Sequence, residues 1–261
     1  MTARPWKLAE TNYGATRGER FEVAVLPLGA TEPHNLHLPY GTDFYEAEAI
    51  ADRVCGAAWE RGARVILLPT IPYGTETNLA AFPLAMNVYP STLLAVIRDL
   101  VESLVRHDIR KVLLLNSHGG NDFKPALREL YGQTPAHLFL CDWFRSTADV
   151  QREIFARPDD HAGEMETSLA LAYFGDLVAR DEAGKLSADA GETAKSRFAA
   201  VRNGWVSITR PWHLLTTNSG AGDPHAASAE KGRKLMDVIV ERLAGFLVEL
   251  SAAELDERFP F

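Results

Sequence analysis

Residues 21–43 read FEVAVLPLGATEPHNLHLPYGTD, an apolar run followed by a loop that is crowded with ionisable side chains. The run 21–28 predicts a buried strand. In the loop, Glu32 and His34 are two residues apart, and Asp43 lies eleven residues beyond Glu32. A loop that leaves a strand end could turn these side chains toward one point. Mixed oxygen and nitrogen ligands suit zinc, manganese or iron, whereas a structural zinc site would normally contain cysteine pairs.

Two interpretations of the acidic residues in this loop compete. Asp43, followed three residues later by Glu46, fits a helix N-cap with its N3 partner, which would explain both residues without a metal. The sequence leaves that choice open. Glu32, His34 and His37 have no such explanation, because a loop after a buried strand gains little from them unless they bind something. We therefore favour ligation for these three.

The rest of the chain alternates short aliphatic runs with helical patterns. Strands without a polar face, separated by helices, indicate an α/β fold with a parallel sheet that is covered on both sides. Such sheets place ligands at the carboxyl ends of their strands. We expect an added strand at 205–209 and a peripheral segment at 180–203. The other predicted strands are 65–69, 111–115 and 137–142, and the predicted helices are 44–61, 91–105, 123–131, 147–156, 169–174 and 226–250.

A second candidate segment, Asn116-Ser117-His118-Gly119-Gly120-Asn121-Asp122, follows the aliphatic run 111–115. An ordinary strand-to-helix turn capped by Asp122 would explain the glycines and the aspartate. It would not explain His118, which we take as a candidate metal ligand at the carboxyl end of the sheet.

A third segment, residues 159–168, reads DDHAGEMETS and places four carboxylates and one histidine at the start of a predicted helix. Acidic residues in a first helical turn often only complement the helix dipole, so Asp159 and one of the glutamates could be bystanders. Glu164 and Glu166 are two residues apart and point about 200° from each other on a helix. Both cannot easily face one metal ion.

The composition excludes several classes of protein. At 261 residues the chain suits a single domain, residues 1–261, and its formal net charge of −8 without a basic cluster disfavours a nucleic-acid or anionic-membrane partner. Cys55 and Cys141 are far apart in otherwise apolar segments, which predicts reduced thiols in a cytoplasmic protein. The first twenty residues lack the apolar stretch of a signal peptide or anchor, and no run approaches a membrane span.

The motifs together resemble those of the creatininase (creatinine amidohydrolase) family. They are GATEPHNLHLP with Asp43, NSHGGN, HAGEMETS, and Gly-Asp-Pro with the later Glu-Lys-Gly, in this order from about residue 23 to residue 232. The resemblance implies a three-layer α/β/α sandwich with a mainly parallel sheet, a hydrolase with two divalent metal ions per chain, and a homo-oligomer, often a hexamer built as a trimer of dimers. It also implies that Glu32, His34, Asp43 and His118 occupy metal-ligand positions, with Asp43 able to bridge both ions.

The chain departs from the family pattern in two places. Creatininase proper has a carboxylate two residues after the histidine that matches His118, where this chain has Gly120. We expect Glu166 to supply the missing carboxylate, with Glu164 as the alternative. The loop 73–85 also lacks the family's usual histidine and Phe-Pro-Gly-Thr, so creatinine itself is a doubtful substrate.

These features predict a metal-dependent hydrolase that acts on a small polar, cyclic molecule with an amide or similar carbonyl group. Zinc or manganese is the expected metal, with iron as a further option. We expect Asp160 or Glu164 to relay a proton, and His161 to protonate the leaving nitrogen or orient the oxyanion. Two alternatives remain open: hydrolysis of a carbon–carbon bond in a cyclic polyol diketone, and a binding relative that has lost turnover.

Overall fold

A four-stranded parallel sheet forms the centre of the protein, in a computed structural model that describes residues 3–157 and 160–261. Its strands are β1 (Val23–Leu28), β2 (Val65–Leu67), β3 (Lys111–Asn116) and β4 (His137–Asp142), in the spatial order β2-β1-β3-β4. Leu28 pairs with Asn116, and Asn116 with Asp142, so β1, β3 and β4 end at one level. The loops that follow these strands therefore meet at one edge of the sheet.

Helices cover both faces of this sheet, which confirms the three-layer α/β/α sandwich. Alternate residues of β1 point to opposite faces. The helices are α1 (Tyr13–Thr16), α2 (Thr42–Glu60), α3 (Pro90–Val105), α4 (Lys124–Leu130), α5 (Trp143–Ser146), α6 (Gln151–Ile154), α7 (Glu164–Tyr173), α8 (Ala199–Arg202), α9 (Trp212–Leu215) and α10 (Ala229–Ala252). Val23 and Val25 pack in the apolar layer that contains α2, α7 and α10, while Ala24 and Leu26 pack in the layer that contains α3 and α4.

All six residues of β1 and of β3 are buried, as are the three residues of β2. This explains why these strands appear in the sequence as unbroken aliphatic runs. Each fully buried leucine or valine contributes roughly 1.5–3 kcal/mol relative to an exposed one. The sheet is thus a rigid platform for the loops at its carboxyl edge. Within the described residues no helix is long and apolar enough to cross a bilayer.

Two predicted elements are wrong. Residues 205–209 form no strand, because they find no partner at either edge of the sheet, and Trp205 there is 78% exposed. Of the predicted helix 147–156 only the four residues of α6 are helical, because residues 147–150 form a turn that separates α6 from the preceding α5. In addition, α7 begins five residues earlier than expected, at Glu164, so that Glu164 and Glu166 both lie in its first turn.

Candidate metal centre

Polar side chains from three segments converge at the carboxyl edge of the sheet. Glu32 and His34 come from the loop after β1, and Asp43 from the first turn of α2. His118 follows β3. Gly29 lets β1 end directly against α2, because a Cβ there would lie 2.7 Å from the backbone nitrogen of Phe44. This close approach places Asp43 beside the loop that carries the other two residues.

The distances between these side chains are those of one cluster. His118 Nδ1 lies 3.1 Å from Glu32 Oε1 and 3.0 Å from Asp43 Oδ2. His34 Nε2 lies 3.3 Å from the other Asp43 oxygen, Oδ1. Asp43 therefore stands between two imidazoles, with one oxygen facing each. That is the arrangement expected of a carboxylate that bridges two neighbouring ions.

Each of three imidazoles in the cluster has one nitrogen held by a backbone carbonyl. His34 Nδ1 lies 3.0 Å from the carbonyl oxygen of Glu32, His118 Nε2 lies 3.2 Å from that of Thr75, and His161 Nε2 lies 2.9 Å from that of Pro33. Because a carbonyl can only accept, these nitrogens carry the protons in the neutral rings. The second nitrogen of each ring is then a bare lone pair that faces the carboxylates, which is typical of metal-binding histidines.

Three sets of residues present ligand atoms within 4.8 Å of one another and could each hold a metal ion. One set contains His34 and Asp43, and two sets share Glu32. The sets are Glu32, Glu76 and His118; His34, Asp43 and Glu166; and Glu32, His34 and His161. The three sets adjoin one another, because Glu32 and His34 each belong to two of them.

Several buried atoms of the cluster accept no hydrogen bond from the described residues. They are Glu32 Oε2, Asp43 Oδ2 and both oxygens of Glu76, and His34 Nε2 likewise has no hydrogen-bond partner. A buried carboxylate oxygen without a donor is costly, and cation binding would remove that cost. The donor set, carboxylates with neutral imidazoles, therefore fits zinc or manganese.

In the metal-free cluster, burial and the close approach of carboxylates and imidazoles shift the pKa values of these groups. Burial alone would lower the pKa of His34, but the carboxylate of Asp43 and its neighbours outweigh it and raise the pKa to about 10. Burial also lowers the pKa of His118, but the carboxylates of Glu32 and Asp43 outweigh it and hold that pKa well above its usual value. Burial and the adjacent Glu32 raise the pKa of Glu76 to about 10. Without metal, the cluster thus retains protons that a divalent cation would displace.

His161 lies against the metal-ligand candidates. Its ring stacks on that of His34, with centroids 4.2 Å apart, and meets the ring of Trp212 edge-on at 5.0 Å. Its free nitrogen, Nδ1, is 3.6 Å from Glu32 Oε1. Burial and the nearby His34 lower the pKa of His161. The geometry therefore gives a neutral imidazole that can accept a proton at the edge of the cluster.

The acidic residues around His161 separate into two groups. Glu166 lies in a candidate ligand set with His34 and Asp43, and it also accepts a hydrogen bond from the backbone of Ala162. Glu164 is buried, but one of its oxygens pairs with Lys231 and the other accepts from the Ala156 backbone at 2.7 Å. The two glutamates therefore face different surroundings, as their spacing on a helix predicts.

The remaining predicted residues lie outside the cluster. The Asp160 side chain is 55% exposed and pairs with Arg210 at 2.5 Å. His37 is buried outside the three ligand sets, and its Nε2 lies 2.8 Å from the Thr167 hydroxyl. Asp159 falls outside the described residues.

The sequence analysis missed Glu76. It lies in the loop after β2, and its carboxylate is completely buried, with Oε1 3.1 Å from His118 Nε2. The sequence did contain an indication of Glu76, because a carboxylate that follows a parallel strand lies at the same edge of the sheet as the other candidate ligands. That signal was weak, since the neighbouring threonines and asparagine are typical of an exposed loop.

The fold and the site together define an α/β/α protein with residue sets capable of binding metal. The family model described as Creatininase: Creatinine amidohydrolase matches residues 8–247, so the chain belongs to the creatininase family. This confirms the resemblance seen in the motifs.

Three curated relatives cover much of the chain. A mycofactocin precursor peptide peptidase of Mycobacterium ulcerans is 29% identical over 83% of this chain and 81% of its own length. A creatinine amidohydrolase of Pseudomonas putida is 31% identical over 61% of this chain and 67% of its own length. A 3-dehydro-scyllo-inosose hydrolase of Thermotoga maritima is 25% identical over 94% of this chain and 81% of its own length. Hydrolysis is thus common to the group, while the substrates differ.

Solved structures confirm the fold. A Bacteroides fragilis protein, provisionally described as a creatinine amidohydrolase, is 34% identical and superposes with a TM-score of 0.89, over 98% of this chain and 100% of that chain. Two creatininases described as a manganese form and a zinc–zinc form are each 23% identical, with TM-scores of 0.74 and 0.73. They cover 95% and 96% of this chain and 99% and 100% of their own.

Proposed function

We propose that this protein is a two-metal hydrolase that cleaves a carbon–nitrogen bond in a small polar amide. The observation that carries the proposal is the cluster itself, in which three imidazoles direct one nitrogen each at buried carboxylates, and several of the carboxylate oxygens have no hydrogen-bond partner. Two divalent ions in such a site would lower the pKa of a bound water and polarise the carbonyl of a substrate. Membership of a hydrolase family supports the same reaction class.

The ligand sets suggest how the residues would be shared between the ions. Glu32 and His118 would hold the first ion, and His34 and Glu166 the second. Asp43, with one oxygen toward each imidazole, would bridge them. Zinc and manganese are the proposed metals, because the donor set suits both and each occurs in a solved creatininase.

His161 would act as the general base and then as the general acid of the reaction. Its Nδ1 is free and its Nε2 is fixed by the Pro33 carbonyl, so the ring is held with the basic nitrogen toward the cluster. It would accept a proton there and return it to the leaving nitrogen. Asp160, the adjacent exposed residue, would relay protons between solvent and the site. Glu164 is left out of this relay because both of its oxygens are already bonded.

The substrate is proposed to be a cyclic amide, with a short peptide as the second candidate. The cyclic amide is suggested by the creatinine amidohydrolase relative and the peptide by the peptide peptidase, which matches more of the chain. A carbon–carbon bond is a third option, because one relative is a 3-dehydro-scyllo-inosose hydrolase. The alternative of a non-catalytic relative loses its main support, since Gly120 does not leave the cluster short of carboxylates.

A substrate panel would test the proposal. The metal-replete protein would be assayed with lactams, hydantoins, formamides, short peptides and cyclic ketones, beside His118→Ala and the matched control His107→Ala, an exposed histidine outside the ligand sets. We expect turnover of an amide by the wild type and the control, and none by His118→Ala. Turnover that survives His118→Ala undiminished would reject the mechanism, and bound metal without turnover of any substrate would favour a binding role.

A further inference from the structure

Glu76 is held in place by the backbone on either side of it. Its own N–H donates to the side chain of Asn87 at 2.8 Å, and the N–H of Thr75 donates to the side chain of Asn121 at 3.0 Å. The chain continues into a one-turn 3-10 helix, Thr77–Leu79, and Leu79 is buried. The loop therefore presents the carboxylate at a fixed position instead of leaving it free to turn toward solvent.

The carboxylate so presented finds no donor in the described part of the chain. Glu76 Oε1 lies 3.1 Å from His118 Nε2, but the proton on that nitrogen is directed at the Thr75 carbonyl oxygen. Neither oxygen of Glu76 accepts a hydrogen bond, and the nearest acidic neighbour is another carboxylate, Glu32. Two buried carboxylates side by side repel each other unless a proton or a cation lies between them. His118 is already satisfied at Nε2, so Glu76 does not serve merely to orient it.

Gly120 explains why a carboxylate reaches the cluster from this loop. A Cβ at position 120 would lie 2.3 Å from His118 Nε2 and 2.6 Å from the Thr75 carbonyl oxygen. No side chain fits at position 120 while Thr75 bonds His118. The loop after β2 thus occupies the space through which a side chain from position 120 would have to pass, and it brings its own carboxylate with it.

We propose that Glu76 is a ligand of the first metal ion, together with Glu32 and His118. This rests on the proposed two-metal function. Four carboxylates, Glu32, Asp43, Glu76 and Glu166, would then balance the charge of two divalent cations. The loop after β2 becomes part of the metal centre, and metal binding would fix it against the end of β3.

The test compares the wild type with Glu76→Gln and with the control Glu164→Gln, which alters a buried glutamate that is already paired with Lys231. Each protein is stripped of metal and titrated with manganese or zinc against a competing chelator. We expect two equivalents for the wild type and for Glu164→Gln. In Glu76→Gln we expect the metal affinity of one site to fall by about 100-fold. Loss of a group that only orients a ligand typically costs 10–100-fold in affinity, so the expected fall is at or above the upper end of that range.

Melting of the metal-free proteins gives a second measurement that does not depend on turnover. Metal-free Glu76→Gln should melt above metal-free wild type at pH 8, because glutamine removes the acidic group that is buried beside Glu32 without a hydrogen-bond partner. Metal-free Glu164→Gln should melt below it, because Lys231 loses its partner. If Glu76→Gln does not fold, Glu76→Ser provides the same comparison with a smaller neutral side chain.

The outcomes separate this inference from the proposed function. Two ions in Glu76→Gln with affinities within tenfold of wild type would overturn the role of Glu76 and leave the two-metal centre standing. A metal-free Glu76→Gln that melts below wild type would also overturn it. A wild type that binds neither manganese nor zinc would overturn both proposals.

Discussion

Buried charged side chains lie at both ends of strand β3, but the two ends differ in whether the protein itself satisfies those charges. At its start, Lys111 is only 2% exposed, and its Nζ donates to the carbonyl oxygens of Ser251 at 3.1 Å and Ala253 at 2.9 Å. Just past its other end, His118 lies among carboxylates whose oxygens include several without donors. The chain itself satisfies the charge at the amino edge of the sheet. At the carboxyl edge it leaves negative charge for a ligand to satisfy, and that difference marks the functional end.

Removing the bridging carboxylate should have the largest effect. Asp43→Asn keeps the shape of the side chain but removes the charge that faces both His34 and His118. We expect kcat to fall at least about a thousandfold, equivalent to roughly 4 kcal/mol of transition-state stabilisation. Steady-state kinetics at saturating metal would measure this. Activity within tenfold of wild type would exclude Asp43 as a bridge.

A change at His161 should separate proton transfer from metal binding. His161→Gln leaves the proposed ligands of both ions in place, so metal content should stay at the wild-type level. We expect kcat to fall by about 10²–10⁴-fold, the usual contribution of a positioned acid or base. Parallel metal analysis and kinetics would check both parts. Loss of metal in this variant would instead make His161 a ligand, consistent with its place in a set with Glu32 and His34.

A substitution at the amino edge of the sheet should change the stability of the protein but not its metal binding or its activity. Lys111→Met removes the donor to two half-buried carbonyls at the end of α10, and we expect the free energy of unfolding to fall by about 2–3 kcal/mol. Urea denaturation of the metal-free protein would measure the loss. Metal content and kcat of the folded variant should match wild type. A loss of metal here would contradict the division between the two edges.

The smallest expected effect is the pH dependence of metal affinity. The raised pKa of His34, about 10, means that this ring holds a proton below that pH in the metal-free protein, and a metal ion must displace it. Affinity should therefore fall as pH is lowered, by about tenfold per pH unit for each proton displaced. Titration calorimetry in two buffers would count the released protons. Affinity that is independent of pH between 6 and 9 would contradict the proposed ligation by His34.

Much of the architecture could be predicted because buried parallel strands leave a local signature. The runs that became β1 and β3 are continuous aliphatic stretches, and the candidate residues Glu32, His34, Asp43 and His118 directly follow them or begin the next helix. The rule that parallel sheets bind ligands at their carboxyl ends then predicts that these side chains meet, and the structure brings them together.

The remaining features depend on tertiary contacts that no local pattern reports. The loop that carries the buried Glu76 is held by the side chains of Asn87 and Asn121, which lie 11 and 46 residues from the N–H groups that donate to them. The clash that keeps position 120 a glycine involves Thr75, forty-five residues earlier. Residues 205–209 have the composition of a strand, yet a strand needs an edge to pair with, and both edges of this sheet leave them unpaired.

Metal content is the most direct measure of the central idea that the carboxyl edge is completed by cations. The wild-type protein would be purified with manganese or zinc, dialysed, and analysed by inductively coupled plasma mass spectrometry before and after chelation. We predict about two equivalents per chain, loss of activity and a lower melting temperature on chelation, and recovery of both when metal returns. A protein that holds no metal after this treatment and melts at the same temperature with and without chelator would contradict the account.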